Sequence, residues 1–316
     1  MRTLTVCVTL AASLGFSFPA EKRAIEWPYY GSDQAGTKWS AAADINRANP
    51  CCFLILIDQS GSMADPFGGA GTRKKADGVA DVTNKLLQSL VLKCAKEEGI
   101  RDYFHVGVLG YGASVGSAFA GPLSGRDLVP VSEIGNNPAR IEERAREKED
   151  GAGGLVKEQI RLPVWVDPVA NGGTPMSQAL SRARDIVAQW LQQHPSSFPP
   201  IVLNLTDGES TDGDPSNAAD ALRALSSTDG QVLLLNAHLS SSSAPPVLFP
   251  SSDTTLPDQF AKLLYRMSSD LTPALRAAAS AEGLASGESA RGFAFNADLL
   301  SVIKFLDIGT RASNLR

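Results

Sequence analysis

Short apolar runs that end abruptly in polar residues most constrain how this chain can fold. Phe53-Leu-Ile-Leu-Ile57 is apolar throughout, and Asp58-Gln-Ser-Gly-Ser62 follows it directly. Ile201–Leu205 is a second strand candidate, ended by Thr206-Asp207-Gly208. An apolar run of this length without polar alternation is typical of a strand buried on both faces of a sheet. Both runs therefore predict a sheet that is covered by other elements.

Segments with helical periodicity separate the strand candidates. Apolar residues recur at three- and four-residue spacing over 76–98, and again after Thr174-Pro175, where Thr is predicted to cap a helix and Pro to occupy its first position. Further strands are predicted at Phe104–Tyr111, Val115–Ala120 (returning antiparallel) and Gln231–Ala237, further helices near 217–227, 257–268, 272–282 and 297–306, and a loop over 240–257. This alternation predicts an α/β fold with a doubly wound, mainly parallel sheet flanked by helices.

Composition excludes several classes of function. The 316 residues allow one large domain or two small ones, and the net charge of −5 argues against binding to nucleic acid or an anionic membrane. No apolar run reaches the roughly 20 residues that span a bilayer. The three histidines are far apart and the four cysteines show no CxxC spacing, which argues against an imidazole or thiolate metal site. No Ser/His/Asp or Cys/His set can be assembled, so we expect a protein that is not an enzyme.

The N-terminus predicts export. Residues 3–18 are uncharged and follow Arg2, which is typical of a secretory signal peptide over residues 1–20. The protein is then periplasmic or secreted. The alternatives are a buried strand or a wrongly assigned start, in which case the protein is cytoplasmic.

Residues 21–50 form a predicted leader ahead of the main domain at 51–310. Within it, EWPYYGSDQAGTKWSAAADINRAN at 26–49 resembles the segment that opens quinoprotein dehydrogenases, which are β-propellers. A propeller needs a repeating four-stranded unit, and residues 51–316 contain no such repeat. The leader therefore resembles a fragment joined to a different domain.

The main domain contains a polar insertion at 121–170. Its middle, IEERAREKEDGAGG, is rich in charge and predicts a solvated helix and turn. A helical C-terminal extension is predicted to complete the domain, which ends at about residue 310.

Five oxygen-bearing residues are candidate metal ligands. Ligands of parallel α/β sheets bind outside the carboxyl ends of the strands, which is where Asp58, Ser60, Ser62, Thr174 and Asp207 are predicted to lie. Two carboxylates and three hydroxyls are hard donors that favour Mg²⁺, Mn²⁺ or Ca²⁺. Two carboxylates neutralise a dication, so a carboxylate from a partner is not repelled. Taken singly, each motif also fits an Asx turn, a helix cap or an ordinary turn.

Together these motifs resemble those of a known domain family. D-x-S-G-S at 58–62, G-G-T-P at 172–175 and L-T-D-G at 205–208 resemble the von Willebrand factor type A (VWA) domain, over about residues 52–240. The tail to 310 resembles an extension of bacterial members. The resemblance implies a metal-ion-dependent adhesion site (MIDAS) built by these five residues, with Thr174 becoming a direct ligand only when a partner docks.

The leading functional hypothesis is therefore a module that binds a protein partner through a divalent cation, with the partner supplying an acidic side chain. The alternative is a regulatory subunit of an enzyme assembly, either chelatase-like or part of a stress-response phosphorylation system. A remote alternative, suggested by the leader alone, is a fragment of a quinoprotein oxidoreductase.

Overall fold

The structure is a computed structural model that describes residues 45, 49–66, 73–149, 155–239, 246–284, 287 and 289–297. The predicted signal peptide, the quinoprotein-like motifs at 27–31 and 36–40, and the predicted last helix beyond Ala297 lie outside the described residues.

A mainly parallel sheet of eight strands forms the centre of the fold. The strands of the described chain are β1 (Cys51–Asp58), β2 (Phe104–Tyr111), β3 (Val115–Ser117), β4 (Val129–Pro130), β5 (Arg140–Glu149), β6 (Leu155–Val164), β7 (Ile201–Thr206), β8 (Leu233–Leu239), β9 (Val247–Leu248) and β10 (Phe293–Ala297). The sheet order is β9-β10-β8-β7-β1-β2-β3, with β4 also paired to β2. The five inner strands from β10 to β2 are parallel, whereas β3, β4 and β9 are antiparallel to their neighbours.

Helices cover both faces of this sheet. They are α1 (Lys75–Cys94), α2 (Val131–Asn136), α3 (Met176–Gln193), α4 (Ser216–Arg223), α5 (Gln259–Met267) and α6 (Pro273–Ala281), with short 3₁₀ turns at Gly61–Ala64 and Gly121–Leu123. Two-residue ladders join Ala95–Lys96 to Gly99–Ile100 and Ser226–Ser227 to Gly230–Gln231. The predicted fold, a doubly wound sheet flanked by helices, is confirmed. Within the described residues, no helix is both long and apolar enough to cross a bilayer.

The central strand β1 divides the core into two layers. Phe53, Ile55 and Ile57 pack in one cluster with apolar residues of α1 and α6, whereas Leu54 and Leu56 pack in the other with α3, α4 and α5. Successive side chains of a strand point to opposite faces, so an all-apolar strand needs cover on both sides. This double burial fixes β1 at the centre and its carboxyl end at the middle of the sheet edge.

One residue of the predicted leader also belongs to this core. Ile45 is only 2% exposed and lies in the cluster that contains α1. Among the described residues, the core therefore includes one position ahead of the predicted boundary at Cys51.

The prediction of a charge-dense helix within the insertion was wrong. Residues 140–149 and 155–164 are the strands β5 and β6, which pair with each other in a two-stranded sheet. Glu, Lys and Arg favour helices, but Asp150-Gly-Ala-Gly-Gly154 is a run of turn-forming residues between two segments of equal length. Residues 141–162 fall in a compact unit separate from that of the main sheet.

The sequence also failed to predict β10. Phe293–Ala297 is short and rich in alanine, a helix former, and its strand conformation comes from pairing with β8, more than fifty residues earlier in the chain. Such long-range pairing leaves no local pattern in the sequence.

Candidate metal centre

Three loops meet at the carboxyl edge of the sheet. Asp58 is the last residue of β1, and Asp207 directly follows β7, the parallel neighbour of β1. Thr174 precedes α3. The carboxyl ends of adjacent parallel strands lie at the same edge, so residues more than a hundred positions apart in sequence become neighbours in space.

A continuous chain of hydrogen bonds links four of the five predicted ligands. The Ser60 N–H donates to Asp58 Oδ1 at 2.8 Å, and the Ser60 and Ser62 hydroxyl oxygens lie 3.0 Å apart. The Ser62 hydroxyl then donates to Asp207 Oδ1 at 2.8 Å. The oxygens of Asp58, Ser60, Ser62 and Asp207 therefore converge on one small region.

Thr174 brings the fifth oxygen to the same region. A Cβ atom placed on Gly208 would lie 3.8 Å from Ser62 Oγ and 3.9 Å from Thr174 Oγ1, so both hydroxyls border this glycine. The backbone of Thr174 is held by Thr211: the Thr174 N–H donates to Thr211 Oγ1, and the Thr211 N–H donates to the Thr174 carbonyl, each at 2.9 Å. The structure thus brings all five predicted residues together.

The prediction that Thr174 caps the following helix was wrong. Helix α3 begins at Met176, and no side chain at the preceding position caps it. Instead, the Asp212 carboxylate accepts hydrogen bonds from the Ser177 and Gln178 N–H groups at 3.0 and 2.9 Å. A cap supplied by the loop after β7 leaves the Thr174 hydroxyl available to the site.

Backbone hydrogen bonds fasten the loop after β1 to the loop before α3. The Gly61 N–H donates to the Gly172 carbonyl at 3.0 Å, and the Asn171 N–H donates to the Gln59 carbonyl at 2.6 Å. Gly172 has φ +87°, and a Cβ there would approach the Ala113 nitrogen to 2.4 Å. The Asn-Gly-Gly turn therefore requires glycine at this position.

The two carboxylates are buried next to each other. Asp58 has no exposed area and neither does the Asp207 side chain, although part of the Asp207 backbone is accessible. Burial raises the pKa of Asp58 and the charge of Asp207 raises it further, whereas hydrogen bonds from Ser60 and from the Thr206 hydroxyl, 2.7 Å from Asp58 Oδ2, oppose the rise. Two neighbouring carboxylates that are shielded from solvent stay ionised only if a positive charge lies close to them.

Lys75 lies at this group of residues, although the sequence analysis did not name it. Its ammonium donates to Asp207 Oδ2 at 2.8 Å, and it lies 3.9 Å from Asp65 Oδ2. The residue is only 5% exposed. Its position in the helix could have predicted its burial. Lys75 precedes Val79 and Val82 by four and seven positions, so it lies on the apolar face of α1.

The donor set fits a hard divalent cation. Two carboxylates and three hydroxyls are oxygen donors of the type that Mg²⁺, Mn²⁺ and Ca²⁺ take. Ser62 is exposed whereas Asp58, Ser60 and Thr174 are buried, so the group of oxygens opens to solvent on the Ser62 side. Across the described ranges, no three His, Cys, Asp or Glu residues cluster as metal ligands.

Comparisons with known proteins give only distant likenesses. No family model and no curated protein matches the sequence. Among solved structures, proximal thread matrix protein 1 from the mussel byssus is 15% identical with a TM-score of 0.39, over 70% of this chain and 42% of that one. Manganese-loaded TRAP protein of Plasmodium vivax is 13% identical with a TM-score of 0.39, over 82% and 72%. The vWF domain of the pilus tip protein Mfa5 from Porphyromonas gingivalis is 13% identical with a TM-score of 0.29, over 51% and 39%.

This chain thus spans less than half of the length of the mussel protein. At such identities and TM-scores, the likenesses assign neither a family nor a function.

Proposed function

We propose that this chain is a VWA-type binding module that engages a protein partner through a divalent cation. Asp58, Ser60, Ser62, Thr174 and Asp207 would hold the cation, which is Mg²⁺, Mn²⁺ or Ca²⁺. The observation that carries the proposal is the unbroken hydrogen-bonded chain from Asp58 through both serines to Asp207. When bound, the cation would supply a Lewis-acidic position for an oxygen of the partner.

The charges at the site allow an acidic group on the partner. Asp58 and Asp207 carry two negative charges, which a dication balances, and the Lys75 ammonium adds one positive charge beside them. With the Asp65 carboxylate, 3.9 Å from Lys75, counted as well, these charges balance, so a carboxylate of a partner is not repelled and can approach the cation from the exposed Ser62 side. We therefore propose a binding role rather than catalysis, with an Asp or Glu side chain of the partner completing the site.

Thr174 offers the sharpest test of partner binding. Its backbone N–H and carbonyl hold the loop, and these contacts with Thr211 remain in Thr174→Ala. The substitution thus removes the hydroxyl and the γ-methyl group and leaves these backbone contacts in place. We expect Thr174→Ala to reduce partner capture more than cation affinity, because the resemblance to VWA domains implies that this hydroxyl becomes a direct ligand when the partner docks.

The experiment is co-precipitation from a native lysate with the full chain, in Mn²⁺ and in chelator. Wild type and Thr174→Ala are compared with Thr254→Ala, an exposed threonine in another loop. We expect capture by wild type and Thr254→Ala in Mn²⁺ only, and reduced capture by Thr174→Ala. A partner captured equally in Mn²⁺ and in chelator by all three proteins would rule out a cation-mediated interface.

A further inference from the structure

Both side-chain oxygens of Asp207 are already engaged by this chain. Oδ1 accepts from the Ser62 hydroxyl and Oδ2 accepts from the Lys75 ammonium, each at 2.8 Å. The Lys75 side chain is 7% exposed and that of Asp207 is fully buried. A buried ion pair of this kind is held together by the high cost of leaving either charge alone.

A divalent cation and Lys75 therefore require the same carboxylate. A cation bound to Asp207 would lie close to the ammonium, and two positive charges at such short range repel strongly where little solvent screens them. Asp65 offers the ammonium another partner. Its carboxylate lies 3.9 Å from Lys75 Nζ and its side chain is 62% exposed, so it can rotate towards the lysine at little cost.

We propose that Lys75 is a resident counter-cation of this site, which competes with the divalent cation for Asp207 and thereby sets the cation affinity. This inference rests on the proposed function. In the cation-free protein, Lys75 neutralises Asp207 and holds the loop after β7 against the first turn of α1. When the site is loaded, Lys75 turns from Asp207 towards Asp65. Lys75 thus raises the concentration of the divalent cation at which the site is half filled.

The first test is calorimetric titration of Mn²⁺ into the chelator-treated full chain. Lys75→Met keeps the buried stem and removes the charge, and Lys74→Met removes the same charge from the preceding, exposed position. We expect Lys75→Met to bind Mn²⁺ at least about tenfold more tightly, because a hydrogen bond to a charged group no longer has to be broken. Lys74→Met should stay within about twofold of wild type, as expected for exposed charges.

The outcomes separate this inference from the proposed function. If wild type binds Mn²⁺ and Lys75→Met binds it equally or more weakly, competition is refuted and the cation site stands. If only Lys75→Met binds Mn²⁺, the competition holds and the wild-type site is filled by its own lysine, which overturns the cation-dependent function. If neither protein binds Mn²⁺, both proposals fail.

A double-mutant cycle keeps the inference testable if Lys75→Met folds poorly. Asp65→Asn changes an exposed side chain and should weaken Mn²⁺ binding by about threefold, since the displaced lysine loses its second partner. In the Lys75→Met background, Asp65→Asn should have no such effect. An equal loss in both backgrounds would mean that Asp65 acts on the cation directly, and would contradict a lysine that moves between two carboxylates. For a poorly folding Lys75→Met, Lys75→Gln serves as the second background.

Discussion

At the scale of single residues, the sequence predicts the oxygen donors because their motifs are short and two of the three motifs lie where a buried strand ends. Asp58, Ser60 and Ser62 are joined by the local geometry of one loop, and Asp207 directly follows β7, the parallel neighbour of β1. Lys75 could not be predicted in the same way. Its place at the site depends on its contact with Asp207, which lies 132 positions later in the chain.

Gly172 provides a prediction at this scale. It has φ +87° and a Cβ there would clash with the Ala113 backbone, whereas Gly213 has φ +103° with open space around it. Gly213→Ala should cost about 1–2 kcal/mol from the left-handed backbone alone. Gly172→Ala should cost clearly more and should weaken Mn²⁺ binding, because the turn that carries Thr174 must move. Urea unfolding of both variants measures this, and equal losses of stability would contradict the crowding at Gly172.

At the scale of secondary-structure elements, sequence periodicity predicted the buried strands and most helices but not how their ends are capped. Thr174-Pro175 is a good local signal for a helix start, yet the cap of α3 comes from Asp212 in a different loop. The strands β5, β6 and β10 were missed for a related reason. Their residues favour helix or loop by composition, and pairing with another segment decides their conformation.

The Asp212 cap predicts a dependence of stability on pH. Burial alone would raise the pKa of Asp212, but hydrogen bonds from Ser210, Gln178 and Ser177 lower it below its usual value. A carboxyl whose pKa is lower in the folded state stabilises the fold above its unfolded pKa of about 4, and this contribution is lost as pH falls through the folded pKa.

Asp212→Ala should therefore reduce the free energy of unfolding at pH 7 by about 1 kcal/mol, and the difference from wild type should shrink as the pH falls. Asp185→Ala is the control, because Asp185 is an exposed residue of α3 that pairs with Arg184 in solvent. Urea unfolding from pH 7 to pH 3 measures both variants. A loss of stability that is the same at every pH would show that the Asp212 carboxylate does not cap α3 as an anion.

At the scale of the whole molecule, the alternation of strands and helices was enough to predict the layers and the edge where the site forms. The start of the domain was harder to place. Ile45 lies in a segment whose sequence resembles the leader of another protein class, yet it is buried in the core beside α1. A single apolar residue ahead of the first strand carries no periodicity, so its burial could not be predicted.

Ile45 predicts where the chain can be shortened. The fragment 41–316 should unfold at the same urea concentration as the full chain, whereas 51–316 should be less stable. Ile45→Ala in the full chain should reproduce most of that loss, about 2–5 kcal/mol. Cooperative urea unfolding of the three proteins is the measurement. If the fragment 51–316 is as stable as 41–316, the domain begins at Cys51 and Ile45 does not stabilise the core.

The most direct test of the central claim is calorimetric titration of Mn²⁺ into the chelator-treated full chain, with Asp58→Asn as the variant. Asn keeps the size, its Oδ1 can accept from the Ser60 N–H and its amide nitrogen can donate to the Thr206 hydroxyl oxygen, but the substitution removes half of the anionic charge of the site. The control is Glu209→Gln, which removes an exposed charge two residues from Asp207, and Ser62→Ala is a comparison variant that removes an uncharged ligand oxygen. The account predicts one Mn²⁺ site in wild type and in Glu209→Gln, a smaller loss of affinity in Ser62→Ala, and a loss of at least about tenfold in Asp58→Asn, equivalent to about 1.4 kcal/mol. Unchanged Mn²⁺ affinity in Asp58→Asn would contradict the assignment of these residues as a cation site.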